Sequence, residues 1–526
     1  MFPTRLEESP SPVSRNELHV EARYGGSTVD RELSGVLVHS YEIDELFHIF
    51  FRDYHKSMPV LKSKINPNEC YSDSVSLFWS IIVVAARVYP KNPNLYMDLS
   101  QDVIELAFLS PATTPDPLLS IKGKLLILTW SPARAPTKRD SVFVLAGLLV
   151  HEAKQAGLHT PKSSHEFGFA RDRRLRLSEA EHVERANLWA LCVLVYQRSC
   201  TCKGHLPNNL NEIVSLSQSR FLDPTLRLQL RCQDIVSKFV TAIAGNGVQN
   251  MSLDQRRAMD ILIQAFTDQV DLLERDAKIE SGATVEDAHS HIAVHTMTSL
   301  DTCAARLHIQ SFWFYKEHNI TFGSPLARLL NTACAAITLI DELCKTPTLP
   351  PSPPNYLTYV LLGAVYYLLR IIKTPSDRYV DLERAASHLS LGLRLLKKVS
   401  VHNNDTSAKS ALLLTQLWND PLAFKGPDGT ADVALKVHNR LGAAPVLDTI
   451  CRWYDLHDEQ QAKQQSDPYT MASHGADENT ANASSHTNDA PVTTPGNPDG
   501  QFGPVLFEDD ILSSFDWTMN GDFFSI

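Results

Sequence analysis

The sequence predicts an all-α protein, a large multi-helix body between a disordered N-terminal lead-in and a disordered acidic C-terminal arm. Three observations predict it. Apolar residues recur at three-to-four spacing in segment after segment from Tyr41 to Ser400, strand-like alternation is almost absent, and loops rich in Pro, Ser and Asn separate the segments. A chain of 526 residues has room for a sizeable core, and no fixed repeat period divides it. The expected organisation is a lead-in over 1–35, a helical body over 36–455 and a tail over 456–526, within which 502–526 is acidic and aromatic.

Residues 1–35 are polar and uneven, with too little apolar surface to hold structure. From Tyr41 the spacing of Ile43, Leu46, Phe47, Phe50, Phe51 and Tyr54 predicts a helix that Pro59 ends. Ser74–Tyr89 is apolar on most faces, as a central core helix is. An amphipathic helix follows over Asn92–Leu109, stopped by Pro111, and another over Asp116–Trp130, closed by Pro132. Ser141–Leu158 reads as a helix ending at Gly157, which can take the left-handed C-terminal position. Ser178–Gln197 opens with the capping pattern Ser178-Glu-Ala-Glu181. Further helices are expected at Asp254–Arg275, Val285–Tyr315, Pro325–Cys344, Tyr356–Ile372 and Asp381–Ser400. Tyr356–Ile372 is apolar enough to raise the question of a membrane span. Thr358, Gly363 and Arg370 interrupt it and its length is at the short limit, so a buried core helix is expected and no membrane partner.

Charge is distributed unevenly. The formal net charge is −11, and from Asp458 onward twelve carboxylates face the single cation Lys463, so the body is neutral and offers no net field to hold a polyanion. After Tyr454 the composition turns to Gln, Ser, Asn, Asp, Thr, Pro and His, which cannot bury enough apolar surface to fold. Hydrophobic residues then return among acids: Phe507, Asp509, Asp510, Ile511, Leu512, Phe515, Trp517 and Phe523. Such a mixture resembles an activation segment, because carboxylates keep aromatic groups in water until a partner groove takes them. The alternative is a segment that docks on its own body. Arg171, Arg173, Arg174 and Arg176 form the one dense basic run, read either as a nuclear-import patch or as a solvated loop.

Nine cysteines, an odd number without framework spacing, fit a reducing compartment, and the polar start lacks the apolar stretch of a secretory signal. Enzyme signatures do not appear: there is no dinucleotide-binding or phosphate-binding glycine loop and no nucleophile elbow. His151-Glu152 is half of a zinc-protease helix, but Gln155 stands where the second ligand belongs. His291 and His295 could share a metal on one helix face, yet no neighbouring Cys or carboxylate completes a site. Cys200-Thr-Cys202 lacks the spacing of a structural zinc site, and Glu508-Asp509-Asp510 lacks a second acidic partner for magnesium. No catalytic, cofactor or metal residue is expected.

Four motifs carry a resemblance. LFHIFFRDYHKSMPVL (Leu46–Leu61), SIKGKLLILTW (Ser120–Trp130), AGLLVHEAKQAGLH (Ala146–His159) and ERANLWALCVLVYQRSCTCKGHLP (Glu184–Pro207) stand in the order in which the regulatory middle-homology domain of fungal zinc-cluster transcription factors has similar elements. ALLLTQLWND (Ala411–Asp420) and the acidic aromatic end look like the branch containing the leucine-biosynthesis regulator. The resemblance implies a nuclear, DNA-linked regulator of RNA polymerase II genes, commonly for a metabolic or specialised-metabolite set. Its implied partners are the transcription machinery or a coactivator, promoter DNA reached directly or indirectly, and a DNA-bound zinc-cluster partner or a second copy. The family's N-terminal zinc cluster has no counterpart: no cysteine precedes Cys70, so no zinc cofactor is expected in this chain. Either the sequence is truncated or the protein acts through a DNA-bound partner. A helical small-molecule sensor or enzyme, and an inhibitory heterodimer partner, are the alternatives.

Overall fold

The computed structural model describes residues 27–62, 65–133, 141–167, 177–207, 222–249, 251–282, 288–315, 323–346, 349–374, 380–402, 405–426 and 428–466, with side chains left aside at 246, 280–282, 288–294, 323–324 and 458–466. A short antiparallel hairpin, β1 (Arg31–Leu33) with β2 (Val36–Val38), turns through Ser34 and Gly35 at positive φ. Residues 31–35, expected in the lead-in, are therefore part of an ordered hairpin. Everything else that is regular among the described residues is helical, as the sequence predicted.

In the first half, helix α1 (Ser40–Ile49) widens into a π-helical turn at Phe50–Tyr54, which turns Phe50 and Tyr54 into the core, before Pro59. There follow α2 (Pro67–Asp73), α3 (Val75–Ala86), α4 (Leu95–Thr113), α5 (Pro117–Thr129), α6 (Val142–Gln155) and α7 (Glu179–Lys203). Helix α3 is buried along nearly all its length and packs on α4 and α5. Gly157 takes φ +70 after α6, and Ser178 with Glu181 forms the capping box of α7. The expected stop at Pro111 is a correction: α4 runs on to Thr113 with Pro111 inside it. Proline frees the carbonyl four residues back, here that of Ala107, and the Ser110 hydroxyl donates to it at 2.9 Å.

The second half continues with α8 (Pro224–Asn246), α9 (Leu253–Gly282), α10 (Ala288–Gln310), α11 (Gly323–Leu343), α12 (Asn355–Lys373), α13 (Leu382–Val399), α14 (Thr406–Asn419) and α15 (Ala444–Ser466). Each of α8 to α14 packs against the helix before or after it, while α15 returns onto α12. Two apolar cores result, one from Val38 to Leu230 and one from Leu228 to Trp453, meeting where α7 lies on α8. Helix α12 is long and apolar enough to cross a membrane by composition, but it is the axis of the second core, with 72% of its apolar window buried. Its Arg370 is buried with it, donating to Asp448 at 2.7 Å and to the Val433 carbonyl at 2.7 Å, which is how a core helix keeps a cation.

Candidate functional site, a cavity between the two cores

The last turn of α7 positions the site. Gly204 ends the helix at φ +69, and the His205 amide returns to the Cys200 carbonyl at 2.9 Å. A Cβ at Gly204 would lie 1.8 Å from the Arg440 carbonyl oxygen, so only glycine lets the turn meet the strap that enters α15. His205 stacks on Phe143, ring centroids 4.5 Å apart, and accepts from the Arg440 guanidinium at 3.1 Å. The family-like turn Gly204-His205-Leu206-Pro207 is thus a clamp between the two cores.

Above that clamp lies a cavity of about 120 Å³ walled by α7, α8, α10, α12 and the Leu441–Ala443 turn that leads into α15. Arg198 of α7 crosses it. Its guanidinium donates to Asp301 at 3.1 Å and lies 3.5 Å from the centre of the Tyr356 ring. Gln229 donates to the other Asp301 oxygen at 3.0 Å. Burial pushes the Asp301 carboxyl above its usual range, against the pull of Arg198 and Gln229. On the opposite wall, burial lowers the His308 imidazole to about 4, so it is neutral near pH 7. Its ring fills the space where a Cβ on Gly442 would sit. The Tyr367 hydroxyl donates to the Gly442 carbonyl at 3.1 Å, and burial raises that phenol to about 12. Burial likewise raises the Cys202 thiol to about 12 and that of Cys232 further, so both lining cysteines are thiols and not nucleophilic thiolates.

This arrangement can hold a guest but shows no chemistry for turning one over. Nucleophile, base and oxyanion donors do not converge there, and no group of three metal-ligating side chains occurs among the described residues. Cys200 is buried behind the wall while Cys202 lines it, which accounts for the pair as packing. Glu152 is an ion-pair partner, 2.8 Å from the buried Lys124, and the exposed His151 donates to the Gly147 carbonyl at 2.8 Å. His295 is exposed on α10, and the side chain of His291 lies outside those described. The acidic-aromatic residues Phe507, Asp509, Asp510, Ile511, Leu512, Phe515, Trp517 and Phe523 lie outside the described residues, as do Glu508 and the basic run Arg171, Arg173, Arg174 and Arg176.

Sequence reasoning missed Arg198, Asp301, His308 and the whole of α8. For α8 a signal exists: Asp223-Pro224 is an N-cap followed by the preferred first residue, and Leu228, Cys232, Val236, Phe239, Val240 and Ile243 keep helical spacing. Nothing local marks the other three.

No protein-family model matches the chain, and no solved structure matches it. Three curated proteins do. SEF1 of Kluyveromyces lactis, assigned as a transcription factor, is 25% identical over 403 residues, 73% of this chain and 34% of that protein. The regulatory protein LEU3 of Saccharomyces cerevisiae is 26% identical over 189 residues, 33% of this chain and 20% of that protein. SEF1 of Saccharomyces cerevisiae is 29% identical over 143 residues, 27% of this chain and 12% of that protein. The chain thus spans about a third or less of the length of the relatives it matches. These curated homologues are fungal transcription factors of the zinc-cluster type that the four motifs resemble, and they match the middle of this chain at low identity.

Proposed function

We propose that this chain is a nuclear regulator of RNA polymerase II genes, controlling a metabolic or specialised-metabolite set, that works by recruitment and not by catalysis. The observation that carries the reading is the match to SEF1 of Kluyveromyces lactis over 73% of the chain. The neutral body adds a mechanism: without a net positive field of its own it is suited to receiving signals, while the acidic-aromatic arm engages a coactivator. In this mechanism Phe507, Ile511, Leu512, Phe515, Trp517 and Phe523 enter a partner groove, and Asp509 and Asp510 keep them in water beforehand. Arg171, Arg173, Arg174 and Arg176 serve nuclear import. Promoters are reached directly or through a DNA-bound zinc-cluster partner.

The test is to fuse the chain to an unrelated DNA-binding module and read a reporter in a fungal cell. The intact chain raises output, and the double replacement Phe515→Ala, Trp517→Ala lowers it at least tenfold at equal protein level. Unchanged output would remove the arm from the mechanism, and repression by the intact chain would favour an inhibitory partner instead.

A further inference from the structure

The cavity between α7, α8, α10 and α12 is unusual in its charge balance. Arg198 and Asp301 neutralise each other across it, and Lys203 stands half-buried at the end of α7, where water screens it. His308 and the thiols of Cys202 and Cys232 add no charge near pH 7. A charged guest would therefore give up its hydration without meeting an uncompensated counter-charge, which is costly. An uncharged one loses little.

The walls also carry polar groups that the fold leaves open. His308 and Tyr356 line the cavity half-buried, and neither side chain makes a hydrogen bond among the described residues. Their polar atoms are therefore available to a bound molecule, which can exchange water for a hydrogen bond to either. Between them the lining is aromatic and aliphatic, with Tyr367, Val360 and Ala305 among its members. The room, about 120 Å³, is below the roughly 150 Å³ of an engineered apolar cavity that admits benzene, but it opens toward solvent, so a single ring is the most it holds. One ring fits.

We propose that this cavity binds an uncharged single-ring molecule carrying a hydroxyl or carbonyl group, a simple phenol in chemical class, its ring against the tyrosines and its oxygen bonded to His308 and Tyr356. Because α7 comes from the first core while the lining residues of α8, α10 and α12 come from the second, an occupant holds the two cores together and favours the joined arrangement. That this state is read out as transcription rests on the regulatory function proposed above, whereas the binding does not.

Phenol itself is the probe, titrated calorimetrically into the full chain, with benzoate as a charged molecule of similar size. Phenol saturates at one per chain with Kd on the order of 0.1–1 mM, as so few atoms allow, and benzoate binds at least tenfold more weakly. Gly363→Leu fills the cavity from α12, where the atoms nearest a Cβ are those of Tyr367 at 3.7–3.8 Å, and reduces phenol affinity at least tenfold. His308→Gln, which leaves the volume nearly unchanged, weakens it several-fold. Absence of saturable phenol binding, equal binding of benzoate, or full phenol affinity in folded Gly363→Leu would each overturn the proposal. The phenol and benzoate comparison needs no variant, so a misfolded one leaves the decision intact. Failure here would not touch the tethered reporter, and a silent reporter would not touch the titration.

Discussion

At the scale of single residues, His308 gives the chain a built-in pH dependence. Its folded-state value is lowered to about 4 by burial, while an unfolded histidine titrates near 6.5. As pH falls below about 6.5 the unfolded chain takes up a proton that the folded chain refuses until about 4, so stability present at neutral pH is lost through that window. Between pH 7 and pH 5 the loss from this one group is about 2 kcal/mol. His308→Gln removes the titration, and its unfolding free energy, from denaturant melts at the two pH values, should fall by that much less than the parent's. Equal slopes in both proteins would mean that cavity water solvates the imidazolium. Local residue roles such as the Gly157 terminus and the Ser178–Glu181 box were legible in the sequence because they depend on neighbours within four positions. His308 was not, because the helices that wall it in are far away along the chain.

At the scale of elements, helix α4 shows why periodicity alone misplaces an end. Pro111 removes a backbone donor, and a proline inside a helix ordinarily breaks it. Here Ser110 donates to the orphaned Ala107 carbonyl and also receives Lys124, which reaches Ser120 and Glu152 as well. The repair comes from the residue beside the proline, and the neighbouring helix engages the same hydroxyl through Lys124, a contact that only a fold already assembled could reveal. Ser110→Ala should cost about 2–3 kcal/mol, since it orphans a buried carbonyl and takes a partner from a buried ammonium. Ser120→Ala should cost about 1 kcal/mol, because Lys124 keeps Ser110 and Glu152 and no backbone group is exposed. Equal costs in urea melts would show that the carbonyl needs no repair. The contrast with α8 is instructive: its cap, first-turn proline and apolar stripe were all present in the sequence.

At the scale of the whole molecule, the two cores are held at two places, and the cavity lies at one of them. One is the α7 clamp with its Arg198–Asp301 bridge. The other is Arg87, just after α3, which donates to the Ser352 hydroxyl at 2.9 Å, the Tyr96 hydroxyl at 2.8 Å and the Ser131 carbonyl at 2.9 Å. Trp130 adds a bond to the Ser352 carbonyl at 3.2 Å, and Asn355 one to the Ser131 hydroxyl at 2.7 Å. The bonds of Arg87 and Trp130 to Ser352 and of Asn355 to Ser131 join residues more than two hundred positions apart, so nothing in local pattern could have announced them, although both halves were legible as helical. If the bonds couple the cores, Arg87→Ala removes the Ser352 bond that crosses between them, together with two bonds to Tyr96 and Ser131 on the side of the first core, and lowers stability by about 2–4 kcal/mol. More tellingly, it should separate the unfolding of the cores, because the linkage left at that end is thin and an interface of this kind governs whether two cores melt as one. Hydrogen exchange in rising urea reads this directly. In the parent, amides of α3 and α5 and those of α12 and α13 should open at one free energy, and in Arg87→Ala one set should open first. Phenol, by bridging the walls of the cavity, should bring the two sets back toward each other. Continued joint opening in the variant would place the coupling in the α7–α8 packing alone.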